Sequence, residues 1–345
     1  METTAPSEPT HTPAGRLAGL VLGLTLIVSV LTVAFAWPSS NTGPEGVPIA
    51  VIGPPEAAAQ VADRLDAAEP GGFDVVAAAD PGEAVEMIEH REVYAALALA
   101  PDGVRLYTAS AASPAVARLV GGIAEQTAAA AGEAAGQPGS VPVTVEDVVP
   151  MPEDDPNGAG LAASALPMAA GGIIIAALIA TAVRGSGRQA AAAALAPLAV
   201  GAAIAGILFW LGSVEGGYWA VAGAVALALL AASWTVLGLT KLLGRAGTVL
   251  GAVAIMLVGN PLSGLTSAPE LLPAPLGEAG QYLTPGAGAT LLRSVAFFEG
   301  HGAQAAAAVL AAWLAGGVVL FVVGAVRAKA RATAAPAPEP EAAAV

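Results

Sequence analysis

Six stretches of this chain are apolar and free of Asp, Glu, Lys and Arg: Leu17–Trp37, Leu161–Val183, Ala190–Leu211, Tyr218–Leu239, Ala246–Val258 and Ala303–Val326. A helix rising 1.5 Å per residue crosses the roughly 30 Å hydrocarbon core of a bilayer with about 20 residues. Five of the six meet or approach that length, and Ala246–Val258 does so only if it continues through Leu262. Backbone polar groups inside lipid must be satisfied within the segment, which commits such stretches to helix. The expected fold is an α-helical polytopic membrane protein of about six transmembrane helices, with the lipid bilayer as its first partner.

Charge placement orients it. Arg16, Arg184, Arg188, Lys241, Arg245, Arg327, Lys329 and Arg331 all flank the runs on one side. Short cytoplasmic loops retain Lys and Arg, so both termini are expected inside, in the plasma membrane. The cytoplasmic side then holds eight basic and four acidic residues, and the opposite side five basic and 23 acidic. The net charge of −14 therefore describes an acidic outer face. Ala34-Phe35-Ala36 resembles a signal-peptidase site, but the preceding apolar stretch is too long for a secretory signal, so the first helix is expected to remain attached.

The resulting organisation is a disordered cytoplasmic tail (1–15), helix 1 (16–37), an extracytoplasmic α/β domain with linkers (38–157), a five-helix bundle (158–327) and a Pro/Ala-rich cytoplasmic tail (328–345). Within the α/β domain Val47–Ile52 and Phe73–Ala78 read as strands, with a helix over Glu56–Ala68 between them. Asp80 caps a following helix with Pro81 at its first position. Val93–Leu99 and Val104–Ser110 form a hairpin about Pro101-Asp102-Gly103, and Val141–Val149 is the last strand. Ser113-Pro114 starts an Ala-rich helix to Gly132, so poor in large apolar groups that it is expected to pack on a partner copy.

Several chemistries find no residues to carry them. There is no cysteine, which removes disulfides and thiol nucleophiles. No phosphate-binding loop is present; Gly185-Ser186-Gly187 lies in a short turn. Glu86 and His90 have metal-ligand spacing, but a solvated acidic face gives the same pattern, and Glu153-Asp154-Asp155 reads as a solvated hinge. His11 and His301 stand apart in a tail and a loop. No enzyme activity, cofactor or nucleic-acid partner is expected. Intramembrane carboxylates and cations mark ion pathways, and their absence argues against a proton- or sodium-coupled carrier. Ser164, Thr181, Ser233 and Thr235 are expected to bond their own helices. Gly19-x3-Gly23 and Gly247-x3-Gly251 suit close helix contacts, and Pro167 and Pro197 lie inside helices.

One membrane segment resists this account. Residues 259–302 hold Pro261, Pro269, Pro273, Pro275 and Pro285 yet stay rich in Leu. Non-helical backbone at membrane depth survives only when buried in protein or lining a cavity. The expectation is an outer-leaflet cap, with an interfacial helix over about Ala287–Phe298. Asn260, Pro261, Ser263, Pro285, Thr290 and Arg293 are its candidate outer gate or substrate route; an ordinary lipid-lying loop is the other reading.

Five short segments carry a resemblance: Arg91–Ala96 (REVYAA), Thr108–Ser113 (TASAAS), Asp147–Pro152 (DVVPMP), Gly259–Ser263 (GNPLS) and Leu283–Ala287 (LTPGA). Together with the order of one helix, an outer domain and five helices, they make the chain resemble the ABC type-2 permeases. It is most similar to the YhgE/Pip-like membrane proteins of actinobacteria. The resemblance implies export of an apolar or amphipathic substrate, a separate ATPase partner and a homodimer or larger assembly. The alternative is a non-transporting scaffold or receptor whose acidic outer domain binds cell-wall components or another protein. A cysteine replacing Ser110 should react with an impermeant thiol reagent on intact cells and one replacing Ser186 should not; the opposite labelling reverses the orientation.

Overall fold

The computed structural model describes residues 13–100, 103–134, 136, 139 and 141–334. The tail expected over 1–15 falls outside these as far as residue 12, as do His11, Pro101 and Asp102, and residues 335–345 of the second tail.

The α/β domain contains β1 (Val47–Ile52), α2 (Pro55–Ala68), β2 (Phe73–Ala78), α3 (Pro81–Glu89), β3 (Ala95–Ala100), β4 (Gly103–Thr108), α4 (Pro114–Ala134) and β5 (Val143–Asp147). The strand order is β2-β1-β3-β4-β5. Neighbours are parallel except the β3–β4 hairpin, and Ile49 on central β1 pairs with Val75 on one side and Ala95 on the other. The apolar run VPIAVI suits a strand covered on both faces. Val47 and Ile49 face a core with Leu65 and Phe73, while Ala50 faces another with Ala84 and Ile88 of α3. Asp80 Oδ1 accepts from the N–H groups of Gly82 and Glu83, and Ser113 Oγ from that of Val116, the expected caps.

The α4 expectation is corrected. Val116, Val120, Ala124 and Ala128 recur every fourth residue and bury in the same core as Val47, Leu97 and Leu106. Small side chains let the helix lie close on its own sheet rather than requiring a second copy.

Among the described residues, five helices are long and apolar enough to cross a bilayer: α1 (Ala14–Ser40), α5 (Ala159–Ala182), α6 (Ser186–Trp210), α7 (Tyr218–Leu243) and α11 (Ala303–Ala334). The chain is thus a multi-pass helical membrane protein. Helix α11 runs into the segment expected as tail from 328. The centre is α7: 78% of its apolar window is buried, against 28% in α5 and α6, 22% in α11 and none in α1. Its neighbours approach through small residues. An added Cβ on Gly172 would lie 2.5 Å from that of Ala232, and one on Gly317 would lie 2.5 Å from the backbone between Trp234 and Thr235. Such approach is how helices associate without a hydrophobic driving force between them. Of the two expected glycine pairs, Gly247 and Gly251 meet α7 at Leu239 and Val236, whereas Gly19 and Gly23 face nothing within 4 Å. Helix α1 stands at the periphery.

Ser164, Thr181, Ser233 and Thr235 donate to their own helices, as the sequence suggested, to Leu161, Ala177, Leu230 and Ala231. At the end of the bundle away from the α/β domain, Lys241 Nζ donates to Gln189 Oε1 at 2.7 Å, and Gln189 Nε2 to the Val183 carbonyl at 2.9 Å. At the domain end Trp37, Trp210 and Trp219 are exposed. From Trp219 to Lys241 along α7 is about 33 Å at 1.5 Å per residue, close to the thickness of a hydrocarbon core.

The fifth apolar run is different. It forms α8 (Arg245–Ala252) and a π-helical turn Val253–Gly259, and does not continue through Leu262. Fifteen residues rise only about 22 Å, so the helix stops inside the bundle. The chain returns through a 3₁₀ turn (Pro269–Leu271), α9 (Leu276–Gln281) and α10 (Thr284–Phe297). Helix α10 is neither interfacial nor lipid-lying. Ala287, Leu292 and Ser294 are fully buried, Arg293 is 5% exposed, and Leu291 and Leu292 share the bundle core with Val221, Val225 and Leu229 of α7. Gly317→Leu should lower the unfolding midpoint in detergent by several degrees, overpacking costing about 1–3 kcal/mol. Gly316→Leu, whose Cβ faces nothing within 4 Å, should leave it within about 0.5 kcal/mol.

Candidate gate between the α/β domain and the bundle

Two polar compartments lie where the half-helix ends. Pro261 has no N–H to extend the helix, and the last bond runs from the Asn260 N–H five residues back to the Ile255 carbonyl at 2.9 Å. An added Cβ on Gly259 would sit 2.8 Å from the Pro285 ring, which places the start of α10 against the end of the half-helix. Here Asn260, Ser263, Thr284 and Pro285 line a void of about 20 Å³, walled otherwise by apolar groups including Met168 of α5 and Ala228 and Ala232 of α7. Ala228 is ten residues from the start of α7, hence about 15 Å along it.

A larger cavity of about 440 Å³ lies towards the α/β domain, lined by Arg91, Tyr94, Ser263, Glu270, Thr290 and Arg293 among others. Ser263 borders both spaces. Of the six residues expected to form a gate, Ser263, Thr290 and Arg293 meet at the larger cavity, and Asn260, Ser263 and Pro285 at the smaller. Pro261 lines neither and acts by ending the helix.

A chain of hydrogen bonds closes the partition. Gln281 Nε2 donates to the Ser263 carbonyl at 3.2 Å, and Thr290 Oγ1 donates to Gln281 Oε1 at 2.7 Å. Arg293 donates to the Leu265 carbonyl at 2.9 Å. From the α/β domain, Arg91 reaches the Thr290 carbonyl at 3.2 Å and Ser294 Oγ at 2.5 Å, with its guanidinium 5.3 Å from the Phe298 ring centroid. Tyr94 donates to Glu270 Oε2 at 2.7 Å. Backbone bonds from Gly43 to Leu271 and from Glu45 to Glu270 complete the seam.

Two guanidiniums thus share this space with the Glu270 carboxylate. Burial lowers the pKa of Arg91, opposed by Tyr94 and Glu270. Burial and the adjacent Glu270 carboxylate raise Tyr94, holding its phenol as a neutral donor.

Arg91, Tyr94, Glu270, Gln281 and Thr284 were not among the expected gate residues. The available signal was Arg91 and Arg293 themselves, two of only five basic residues on their side of the chain. Their partners are up to 203 positions distant, beyond any local pattern. Two other sequence readings change. His90 does not pair with Glu86 but meets His301, ring centroids 4.3 Å apart. Asp155 is no solvated hinge: it is 7% exposed and accepts from the N–H groups of Ala159 and Gly160 at the start of α5. Among the described residues no three His, Asp or Glu side chains converge as a metal cluster.

No family model, curated protein or solved structure matches this chain. Its site is therefore read from its own geometry. In a double-mutant cycle of Arg91→Gln with Ser294→Ala, read by thermal unfolding, the coupling should be about 1 kcal/mol or more. Additive effects would mean that the contact between domain and bundle contributes nothing.

Proposed function

We propose that this is a plasma-membrane, permease-like protein that passes an apolar or amphipathic substrate, with the α/β domain outside and both termini in the cytoplasm. The observation that carries the reading is a 440 Å³ cavity that shares Ser263 with a small void, bearing Asn260 and Thr284 among apolar groups, at the end of a half-helix. Discontinuous helices with polar ends inside the bundle are how many transporters build a site at membrane depth. The Gln281–Thr290–Arg91 bonds are the closed gate in this reading, and their release joins the two compartments. Lys and Arg at the end of the helices away from the α/β domain support the orientation. Energy for export would come from a separate ATPase on the cytoplasmic side.

A second reading, a receptor or scaffold, is favoured by one other feature. A groove of about 1350 Å³ runs over the α/β domain between α2 and α4, with Arg64 and Arg118 on its walls and Leu99 and Ile123 among its apolar lining.

With no native cysteine, accessibility separates the two. Ala289→Cys, 2% exposed on the wall of the deep void, should react with an impermeant thiol reagent added from outside, and roughly tenfold faster when Arg91→Gln releases the clamp, a change of about 1.4 kcal/mol. A permease should also retain an ATPase through purification in mild detergent. If Ala289→Cys stays unreactive in both backgrounds while Ile123→Cys in the groove labels, the receptor reading replaces the permease.

A further inference from the structure

Two oxygen-bearing side chains on the wall of the otherwise apolar deep void lack hydrogen-bond partners. Asn260 Oδ1 and Thr284 Oγ1 border it and neither has a hydrogen-bond partner, although Thr284 is only 4% exposed. A buried polar atom left unpaired costs about 1–3 kcal/mol, and two at one void imply an occupant. Ser263 is the third oxygen side chain on the wall; its Oγ accepts only a long 3.4 Å bond from the Leu265 N–H. The space of about 20 Å³ exceeds the roughly 10–15 Å³ that one water-sized particle needs and, in this closed arrangement, is too small for an organic molecule.

The surrounding field selects the sign of the occupant. The π-turn ends here, and Pro261 has no N–H to offer the carbonyls of the last turn. The end of a helix that exposes its last carbonyls carries about half a negative charge. No Lys, Arg or His lines the void. We propose that Thr284, Asn260 and Ser263 bind one sodium ion at the broken end of α8. Uncharged oxygens suit a monovalent cation, whereas Ca²⁺ and Mg²⁺ are normally held with carboxylates. Sodium here needs no charged side chain, because the half-helix supplies the negative potential. The site stands whether or not the protein transports a substrate.

Thermal unfolding of the purified full-length protein in NaCl, KCl and choline chloride at equal ionic strength tests this. Sodium should raise the midpoint saturably, by on the order of 2–5 °C at ten times its dissociation constant, relative to the other two salts. Thr284→Ser should keep the response and Thr284→Val should lose it. Asn260→Asp, which adds a carboxylate, should respond at sodium concentrations roughly tenfold lower and gain a response to Ca²⁺; it serves as the second variant if Thr284→Val does not fold. Equal midpoints in all three salts, a larger rise in potassium, a full sodium response in Thr284→Val, or no altered response in Asn260→Asp would each overturn the proposal. Equal midpoints would leave water as the occupant.

Discussion

A helix that stops partway through a bilayer leaves backbone carbonyls with no partner, and everything on the domain side of this molecule is arranged around that fact. Lipid cannot solvate the end at Gly259, so protein must cover it. The cover is the segment from Asn260 to Phe297, which doubles back so that α10 fills the half of the bundle that α8 does not reach. The close approach demands residues without side chains. Gly280 lies against the Leu262 carbonyl, Gly286 against that of Gly280, and Gly277 against that of Pro269. The glycines and prolines that make the sequence here look like a loop are what allow it to be buried.

The cover is held in turn by the α/β domain. Leu271 and Ala268 belong to the domain's own apolar core, beside Val47 and Val120, and Phe298 belongs to the core on the opposite face of its sheet. Between these contacts lies the cluster of Arg91, Tyr94, Glu270 and Arg293. Burying two guanidiniums against one carboxylate is a poor way to gain stability, since desolvation offsets most of the attraction. Such a cluster is better suited to fixing one geometry, and to switching when one partner is withdrawn. Arg91, just after α3, thus ties the domain directly to Thr290 and Ser294 of α10.

How much of this was legible in the sequence follows from the range of the interactions. The uninterrupted apolar runs gave four of the five long helices within a few residues, and the fifth, α11, ran further only at its far end. The short apolar run VPIAVI and the Asp80-Pro81 cap located the domain's strands and helices, because those signals are local. The half-helix was visible only as a run too short to span. Its consequence was not, because whether Gly259–Gly302 lies on lipid or inside protein depends on α7 and α11 closing around it. The same limit hid the partners of Arg91 and the meeting of His90 with His301. Asp155 was misjudged because its neighbours Glu153 and Asp154 are exposed and composition cannot tell which of three acids turns inward.

The placement of positive charge connects the membrane half of the molecule to its acidic domain. On the domain side five basic residues stand among 23 acidic ones. Two of the five, Arg91 and Arg293, line the cavity above the gate, and two more, Arg64 and Arg118, line the groove between α2 and α4. A guanidinium scattered on an acidic surface needs no special site, yet four of these five border two cavities, whereas a third of about 770 Å³ beside Glu89, Glu215 and Glu299 has no arginine on its wall. The acidic exterior repels free anions at distances up to the Debye length of about 8–10 Å, so a ligand reaching these arginines must also bring apolar surface or a compensating positive group. In the proposed reading, that filter is what would select an amphipathic molecule over a small free anion.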